Sequence, residues 1–143
     1  MSWFLTALQN YAVFSGRARR SEYWYFALFY LIFYAVGAML DVMTGTFDKA
    51  AGIGLCTGIL TLAFLIPSLS VTVRRLHDTG RSGWWLLIGL IPVVGAIILL
   101  VFLAQDSESG ANQHGANPKA GPIGRTFQAA AAGKPWSATQ AKR

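Results

Sequence analysis

Three long stretches without a charged residue constrain the fold of this chain more than any other feature. They cover residues 23–40, 50–73 and 82–105. Crossing the hydrocarbon core of a bilayer, about 30 Å thick, takes roughly 20 helical residues. Lipid offers the backbone no hydrogen-bond partners, so each stretch is expected to be helical. We therefore predict an all-α integral membrane protein with three transmembrane helices, at about residues 23–43, 51–73 and 84–104.

The composition also favours a membrane protein. Of the 143 residues, 54% are hydrophobic and only 13% are charged, about half of the charged share of a typical soluble domain. The 12 Lys and Arg residues outnumber the six Asp and Glu residues, which gives a net charge of +6. The basic residues stand beside the apolar stretches, where membrane orientation explains them. No nucleic-acid partner is therefore expected; the expected surroundings are a lipid bilayer.

A proline near the middle of the third stretch allows two structures for this stretch. Pro92 removes a backbone hydrogen bond and kinks a helix that continues through it. A second interpretation is that residues 91–95 break the stretch into a re-entrant hairpin, with both ends on one side of the membrane.

The two ends of the chain differ from its apolar middle. Phe4, Leu8 and Tyr11 share one helical face, which predicts an amphipathic helix at about residues 2–14, lying in the membrane interface. This helix and the spans make up a membrane domain of residues 1–106. Residues 107–143, rich in Gly, Ala, Asn, Gln and Pro, predict a flexible, disordered tail.

The positions of the arginines predict the orientation of the chain in the membrane. Arginines precede the first span and separate the second from the third, whereas the loop between the first two spans has only Lys49 as a basic residue. The positive-inside rule then places the N-terminus in the cytoplasm. Three spans put the tail outside, and a hairpin at Pro92 returns it to the cytoplasmic side.

Two polar clusters are brought to the same membrane face by this topology. One interpretation is a shared site for an anionic lipid or a phosphorylated ligand, because arginine matches phosphate with paired donors. The competing interpretation is structural, with arginines fixing orientation, Ser82 capping the third helix and Glu22 pairing with an arginine. The candidate residues are Arg17, Arg19, Arg20, Glu22, Arg74, Arg75, His77, Asp78 and Arg81.

Residues for catalysis or cofactor binding are not recognisable. His77 and Asp78 are neighbours in sequence, so on a helix they do not face each other. No histidine pair has metal-ligand spacing, no nucleophile stands beside a base and no phosphate-binding loop is present. We therefore expect no enzyme, no metal and no cofactor.

Small residues in the second span suggest helix packing. Gly54 and Gly58 form a GxxxG pair, and Thr61 continues the same face. Small residues let helix backbones approach closely in lipid, within one chain or between chains.

The polar clusters also carry a family resemblance. The segments at residues 14–24, 74–85, 91–95 and 115–118 together resemble the domain-of-unknown-function family 805 of small bacterial inner-membrane proteins. The resemblance covers about residues 1–118. It implies a multi-pass protein of the bacterial inner (plasma) membrane and brings no established activity.

The expected function is a non-enzymatic membrane module that acts through helix–helix association, with a second copy or with another membrane protein. The alternative is a binder of anionic lipid or a phosphorylated ligand at the arginine-rich face. A third, weaker hypothesis is a subunit of an oligomeric channel or transporter, since the uncharged spans lack the ionisable residues that such pathways usually need.

Overall fold

The structure, a computed structural model, describes residues 2–131 and 133. These residues form helices and no β-strand, which confirms the all-α prediction for this part of the chain. In chain order the elements are α1 (Ser2–Gln9), α2 (Arg20–Thr44), α3 (Leu55–Asp78), a 3-10 helix (Gly83–Leu90), α4 (Val94–Ala104) and α5 (Pro122–Ala131).

Helices α2 and α3 correspond to the first two predicted spans, and both are long and apolar enough to cross a bilayer. The chain divides into two compact units. The first consists of the residues up to Ala12 together with Ser21–Val71, and the second consists of Val13–Arg20 and the residues from Thr72 onward.

In the first unit, α2 and α3 pack antiparallel. The ring centroids of Phe26 and Phe64 are 6.0 Å apart. Farther along α2, Gly37 faces an earlier residue of α3, and a Cβ at Gly37 would lie 2.7 Å from Leu60 Cδ1. A side chain at position 37 would therefore displace the end of the Leu60 side chain, and glycine lets the two helices approach closely, in keeping with the use of small residues between helices in lipid.

Helix α1 packs against α2 in the same unit. The Phe4 ring lies 4.9 Å from the Phe29 ring, and Ala7 is fully buried. The hydroxyl of Ser70 donates to the carbonyl of Asn10 at 2.9 Å. The helix ends at Gln9, earlier than the predicted boundary near residue 14, and its location in the membrane interface stays a prediction.

In the second unit, the third stretch is not one helix at about residues 84–104 but a hairpin, which agrees with the break at residues 91–95 that the second interpretation of the sequence offered. The 3-10 helix begins at the cap expected from Ser82, whose hydroxyl accepts from the Trp84 N–H at 3.4 Å. Trp85 meets Phe102 edge-on at 5.4 Å. A Cβ at Gly95 would lie 1.7 Å from the Ile88 carbonyl oxygen, so glycine is required where the two limbs meet.

The turn of the hairpin lies at Pro92 and Val93. The Val94 N–H donates to the Pro92 carbonyl at 2.7 Å, and Val93 has a φ of 64° and a ψ of −66°. These values describe a γ-turn with positive φ, which is rare and strained for a β-branched residue. Proline has no N–H, so Pro92 removes one hydrogen bond of a continuing helix, and the γ-turn at Val93 reverses the chain.

The first part of the predicted tail is among the described residues. Residues from Ser107 to Pro118 form hydrogen bonds with the rest of the second unit, and Pro122–Ala131 is a helix. The flexibility of the segment that begins at residue 107 stays a prediction. The remainder of the predicted tail, residues 132 and 134–143, lies outside the described residues.

Candidate functional site

Asp78, the last residue of α3, is the centre of the arginine-rich site. Its carboxylate is fully buried and accepts from Arg17 Nε at 2.9 Å. The other carboxylate oxygen accepts from Arg75 Nη1 and from the Ser107 hydroxyl at 2.5 Å. Moving a carboxylate and its guanidinium partners out of water costs free energy unless their remaining donors and acceptors are also hydrogen-bonded. The surrounding bonds therefore decide whether the site is stable.

Arg17 bonds to the chain that follows α4. Its guanidinium donates to the carbonyls of Glu108 at 2.7 Å, Gly110 at 2.8 Å and Gly115 at 3.3 Å. The Arg17 side chain is only 1% exposed. One arginine thus satisfies several carbonyls of a turn that has no regular secondary structure of its own.

Arg75 and Arg81 bind the other end of the hairpin. Arg75 Nε donates to the Leu103 carbonyl at 3.0 Å, and Arg75 Nη2 donates to the Gln105 carbonyl. These carbonyls lie at the C-terminal end of α4, where the helix leaves its last acceptors without partners. Arg81 donates to Gln105 Oε1 at 2.7 Å and lies 3.9 Å above the Phe102 ring. Arg81, just before the hairpin, and Gln105, at its end, are therefore in contact.

The other predicted residues differ in their exposure and in their partners. Arg19 Nε donates to the Pro118 carbonyl at 2.7 Å, and Arg20 is exposed at the first residue of α2. The carbonyl of the buried Arg74 accepts from the Ala18 N–H at 3.0 Å. Glu22 is buried in the first turn of α2, where the helix dipole favours a negative charge.

His77 is part of the docking surface for the tail. Its ring stacks on that of His114, with centroids 3.7 Å apart and planes 2° from parallel. One ring nitrogen, Nδ1, is 3.2 Å from the Gly16 carbonyl, and the Asn112 side-chain amide donates to the His77 carbonyl at 2.9 Å. His77 therefore contacts the tail and does not pair with its sequence neighbour Asp78.

An exposed ion pair lies at the edge of the site. The ammonium of Lys119 bonds to the Asp106 carboxylate, and the Ser107 N–H donates to the same carboxylate at 2.8 Å. The lysine first and the N–H second hold the pKa of Asp106 below its ordinary value of 3.8. Because both side chains are exposed to solvent, this pair contributes little to stability.

The side chains of the site bind other parts of the same chain. The donors of Arg17 and Arg75 are directed at one carboxylate and at backbone carbonyls, an arrangement that fixes chain segments. Among residues 2–131 and 133, no group of three or more His, Cys, Asp or Glu side chains is placed to hold a metal ion.

A second buried carboxylate, Asp41, was missed as a site by the sequence analysis. It accepts from the Thr46 hydroxyl at 2.8 Å, the Cys56 N–H at 2.7 Å and the Thr57 N–H at 2.9 Å. Asp41 thus bonds orphan N–H groups in the first turn of α3, as a capping side chain does. The available signals were a carboxylate at the end of the first apolar stretch and a threonine, Thr57, inside the second.

The predicted packing residues lie close to Asp41. Gly54 immediately precedes α3, and a Cβ there would lie 2.2 Å from Asp41 Cγ. At Gly58 the nearest atom to an added Cβ is Ile53 Cδ1, at 3.9 Å. Thr61 donates to the Thr57 carbonyl at 2.8 Å. Gly54 therefore serves packing inside the chain, and the close contact does not extend to Gly58.

Comparison with known proteins agrees with a membrane location. The chain is 46% identical over 122 residues to the inner membrane protein YhaH of Escherichia coli (strain K12), covering 85% of this chain and 100% of the relative. It is 43% identical over 123 residues to the inner membrane protein YhaI of the same organism, covering 85% of this chain and 98% of the relative. No solved structure matches the chain.

Family membership follows from a match that covers most of the membrane domain. Residues 11–116 match the family described as "Protein of unknown function (DUF805)", which confirms the resemblance seen in the sequence motifs. The matched range contains the Asp41 and Asp78 sites and the hairpin, and it ends before α5. The names of the relatives support an inner-membrane location. The chain belongs to the DUF805 family.

Proposed function

We propose that the protein is a non-enzymatic inner-membrane module that acts by binding another membrane-embedded chain, a second copy or a different protein. The observation that carries this proposal is the tip of the hairpin. Leu90 is 78% exposed, Ile91 is 53% exposed and Val93 is 72% exposed. These residues flank or form a turn whose backbone is not helical.

The dimensions of the hairpin support a tip that lies inside the bilayer. A 3-10 helix of eight residues, rising about 2 Å per residue, is roughly 16 Å long. An α-helix of 11 residues, rising 1.5 Å per residue, is also about 16 Å long. Each limb therefore reaches about halfway across a hydrocarbon core of about 30 Å.

A tip at that depth requires surroundings other than lipid. Lipid cannot hydrogen-bond to backbone, so irregular backbone at membrane depth is tolerated only where protein covers it or water reaches it. Exposed apolar side chains around the turn make a dry protein contact the more favourable cover. Because Gly54 already packs against Asp41, the hairpin is a better association surface than the GxxxG pair.

The proposed orientation keeps the N-terminus in the cytoplasm. The arginines before α2 and those between α3 and the hairpin follow the positive-inside rule. Since Arg75 and Arg81 both bind the exit of the hairpin, the start of the tail belongs on the same side. This assignment replaces the external tail that three continuous spans would require.

The alternative functions have weaker support. An anionic lipid or phosphorylated ligand at the arginine-rich face would compete with Asp78 and with the carbonyls that Arg17 and Arg75 already bind. Arg20, exposed at the start of α2, is the arginine best placed for such a ligand. A role as a subunit of an oligomeric channel or transporter has no support beyond the proposed association itself.

The association is tested by site-specific photo-crosslinking in membranes. A benzophenone amino acid replaces Leu90 in one variant and Leu62 in the other, in cells that produce the full chain. Leu62, in the membrane-spanning helix α3, is 72% exposed and so is a matched control for accessibility. We expect a discrete adduct from position 90, and much less or none from position 62.

Native mass spectrometry in lipid nanodiscs then identifies the adduct partner. A mass of two chains, or of one chain with a defined second protein, agrees with the proposal. A monomer in nanodiscs, together with equal crosslinking from both positions or none from either, would contradict it.

A further inference from the structure

Helix α5 exposes its apolar side chains and partly buries its polar ones. Ile123 is 74% exposed and Phe127 is 72% exposed, and these side chains lie one turn apart on the same face. In contrast, Arg125 and Gln128 are half-buried, and Gln128 Oε1 accepts from the Asn117 N–H at 2.8 Å. The polar side of the helix thus faces the protein, and its apolar side faces outward.

Such an orientation is unfavourable in water. An amphipathic helix on a water-soluble protein turns its apolar face to the core and its polar face outward. The outward face of α5 therefore needs a covering surface, and the position of the helix indicates which one. Arg19 holds the Pro118 carbonyl, and Arg19 is the residue just before the membrane-spanning helix α2. Helix α5 begins only four residues after Pro118, so it starts close to the membrane boundary.

The charges near α5 favour a lipid surface over a purely apolar one. Lys119 and Arg125 lie just before and within the helix, and the sequence beyond it adds Lys134, Lys142 and Arg143, with no acidic residue after Glu108. Basic residues beside an apolar helical face are typical of segments that lie on anionic bilayers.

We propose that α5 is an interfacial helix that inserts Ile123 and Phe127 into the cytoplasmic leaflet of the membrane that holds the protein, beside anionic headgroups. A helix this short has little apolar area. The Arg19 and Arg17 contacts keep it tethered near the leaflet, which raises its effective concentration there. The choice of the cytoplasmic leaflet rests on the orientation proposed above, but the contact does not depend on the association proposed for the hairpin. It also lies beyond residues 11–116, which match the family.

The experiment measures the depth of α5 in lipid nanodiscs that contain phosphatidylglycerol. A Cys56→Ser background removes the native thiol, and Phe127→Cys is labelled with an environment-sensitive fluorophore. Leu62→Cys, in α3, is the control for a lipid-facing position, and Ser109→Cys, exposed in the tail, is the control for a water-facing position. Quenchers carried on lipid acyl chains are compared with a water-soluble quencher.

We expect the label at position 127 to behave like the label at position 62. Lipid-borne quenchers should remove most of its fluorescence, and the aqueous quencher should remove little. A second variant that adds Ile123→Gln should lose most of the lipid quenching while the label at position 62 is unchanged, which shows that the membrane domain remains folded.

Two results would overturn the proposal. A label at position 127 that is quenched from water as readily as the label at position 109 means that the helix does not enter the leaflet. A label protected from both quenchers means that protein, and not lipid, covers this face.

Discussion

Asp41 and Asp78 are both fully buried, yet each is stabilised by a different kind of partner. Asp41 accepts from the hydroxyl and N–H groups of Thr46, Cys56 and Thr57, all within the first unit. Asp78 is bonded to two guanidinium groups, whose other donors extend to carbonyls from Ala18 to Gly115. Neutral donors make a local cap, whereas arginines join segments that are far apart in sequence.

The two sites differ in how strongly their stability depends on the carboxylate. Around Asp41, the donors from Thr46, Cys56 and Thr57 are all neutral, so loss of the carboxylate leaves unsatisfied but uncharged groups. Around Asp78, loss of the negative charge leaves two buried guanidinium groups without a counter-ion. An uncompensated buried charge costs more than an unsatisfied neutral donor.

The largest expected effect is therefore that of Asp78→Asn. This isosteric change should lower the free energy of unfolding by about 3–5 kcal/mol, because Arg17 and Arg75 remain charged and buried. Denaturation of the protein in mixed micelles measures it. In a double-mutant cycle with Arg75→Gln, we expect a strong coupling energy. Additive effects would mean that the ion pair is not what holds the site together.

Asp41→Asn should have a smaller effect, about 1–3 kcal/mol. The amide of asparagine keeps one acceptor oxygen. Its NH2 group replaces the other oxygen and therefore faces donors that have lost their acceptor. The same denaturation measurement applies. A loss equal to that of Asp78→Asn would remove the distinction between neutral and charged partners.

Gly54→Ala tests the close packing on Asp41. The added Cβ would overlap the carboxylate, and we expect a loss of about 1–3 kcal/mol from the forced displacement. Gly58→Ala is the matched control, since it has open space and alanine is the better helix former by about 1 kcal/mol. Equal effects of the two changes on the thermal midpoint would contradict the assigned contact.

The smallest effect is expected from Lys119→Gln, which removes the exposed partner of Asp106. Because the folded-state pKa of Asp106 is lowered from 3.8, its contribution is present above that value and is lost as the pH falls through the lower folded value. The variant and the parent should differ slightly at neutral pH and coincide in strong acid. A difference that persists in acid, measured by thermal midpoints across pH, would indicate another role for Lys119.

Several parts of the site could be predicted from sequence and several could not. The blocks around Arg17 and Arg75 were identified as neighbours, because loop charge predicts that both lie at one face of the membrane. The partners of these arginines were not foreseen. Most are backbone carbonyls, such as those of Glu108 and Gly110, and the identity of a side chain does not reveal whether its carbonyl is available.

By itself, the sequence determined that the chain is helical, that α2 and α3 are long and apolar enough to cross a membrane, and that arginines gather in two blocks. These properties depend on the composition of continuous segments, since transfer into lipid is nearly a sum over neighbouring residues. Only the tertiary structure decided that the third stretch turns back at Val93, that Gly54 makes room for Asp41, and that the tail binds Arg17. Each of these depends on atoms far apart in sequence meeting at hydrogen-bond or van der Waals distance, which a local pattern does not specify.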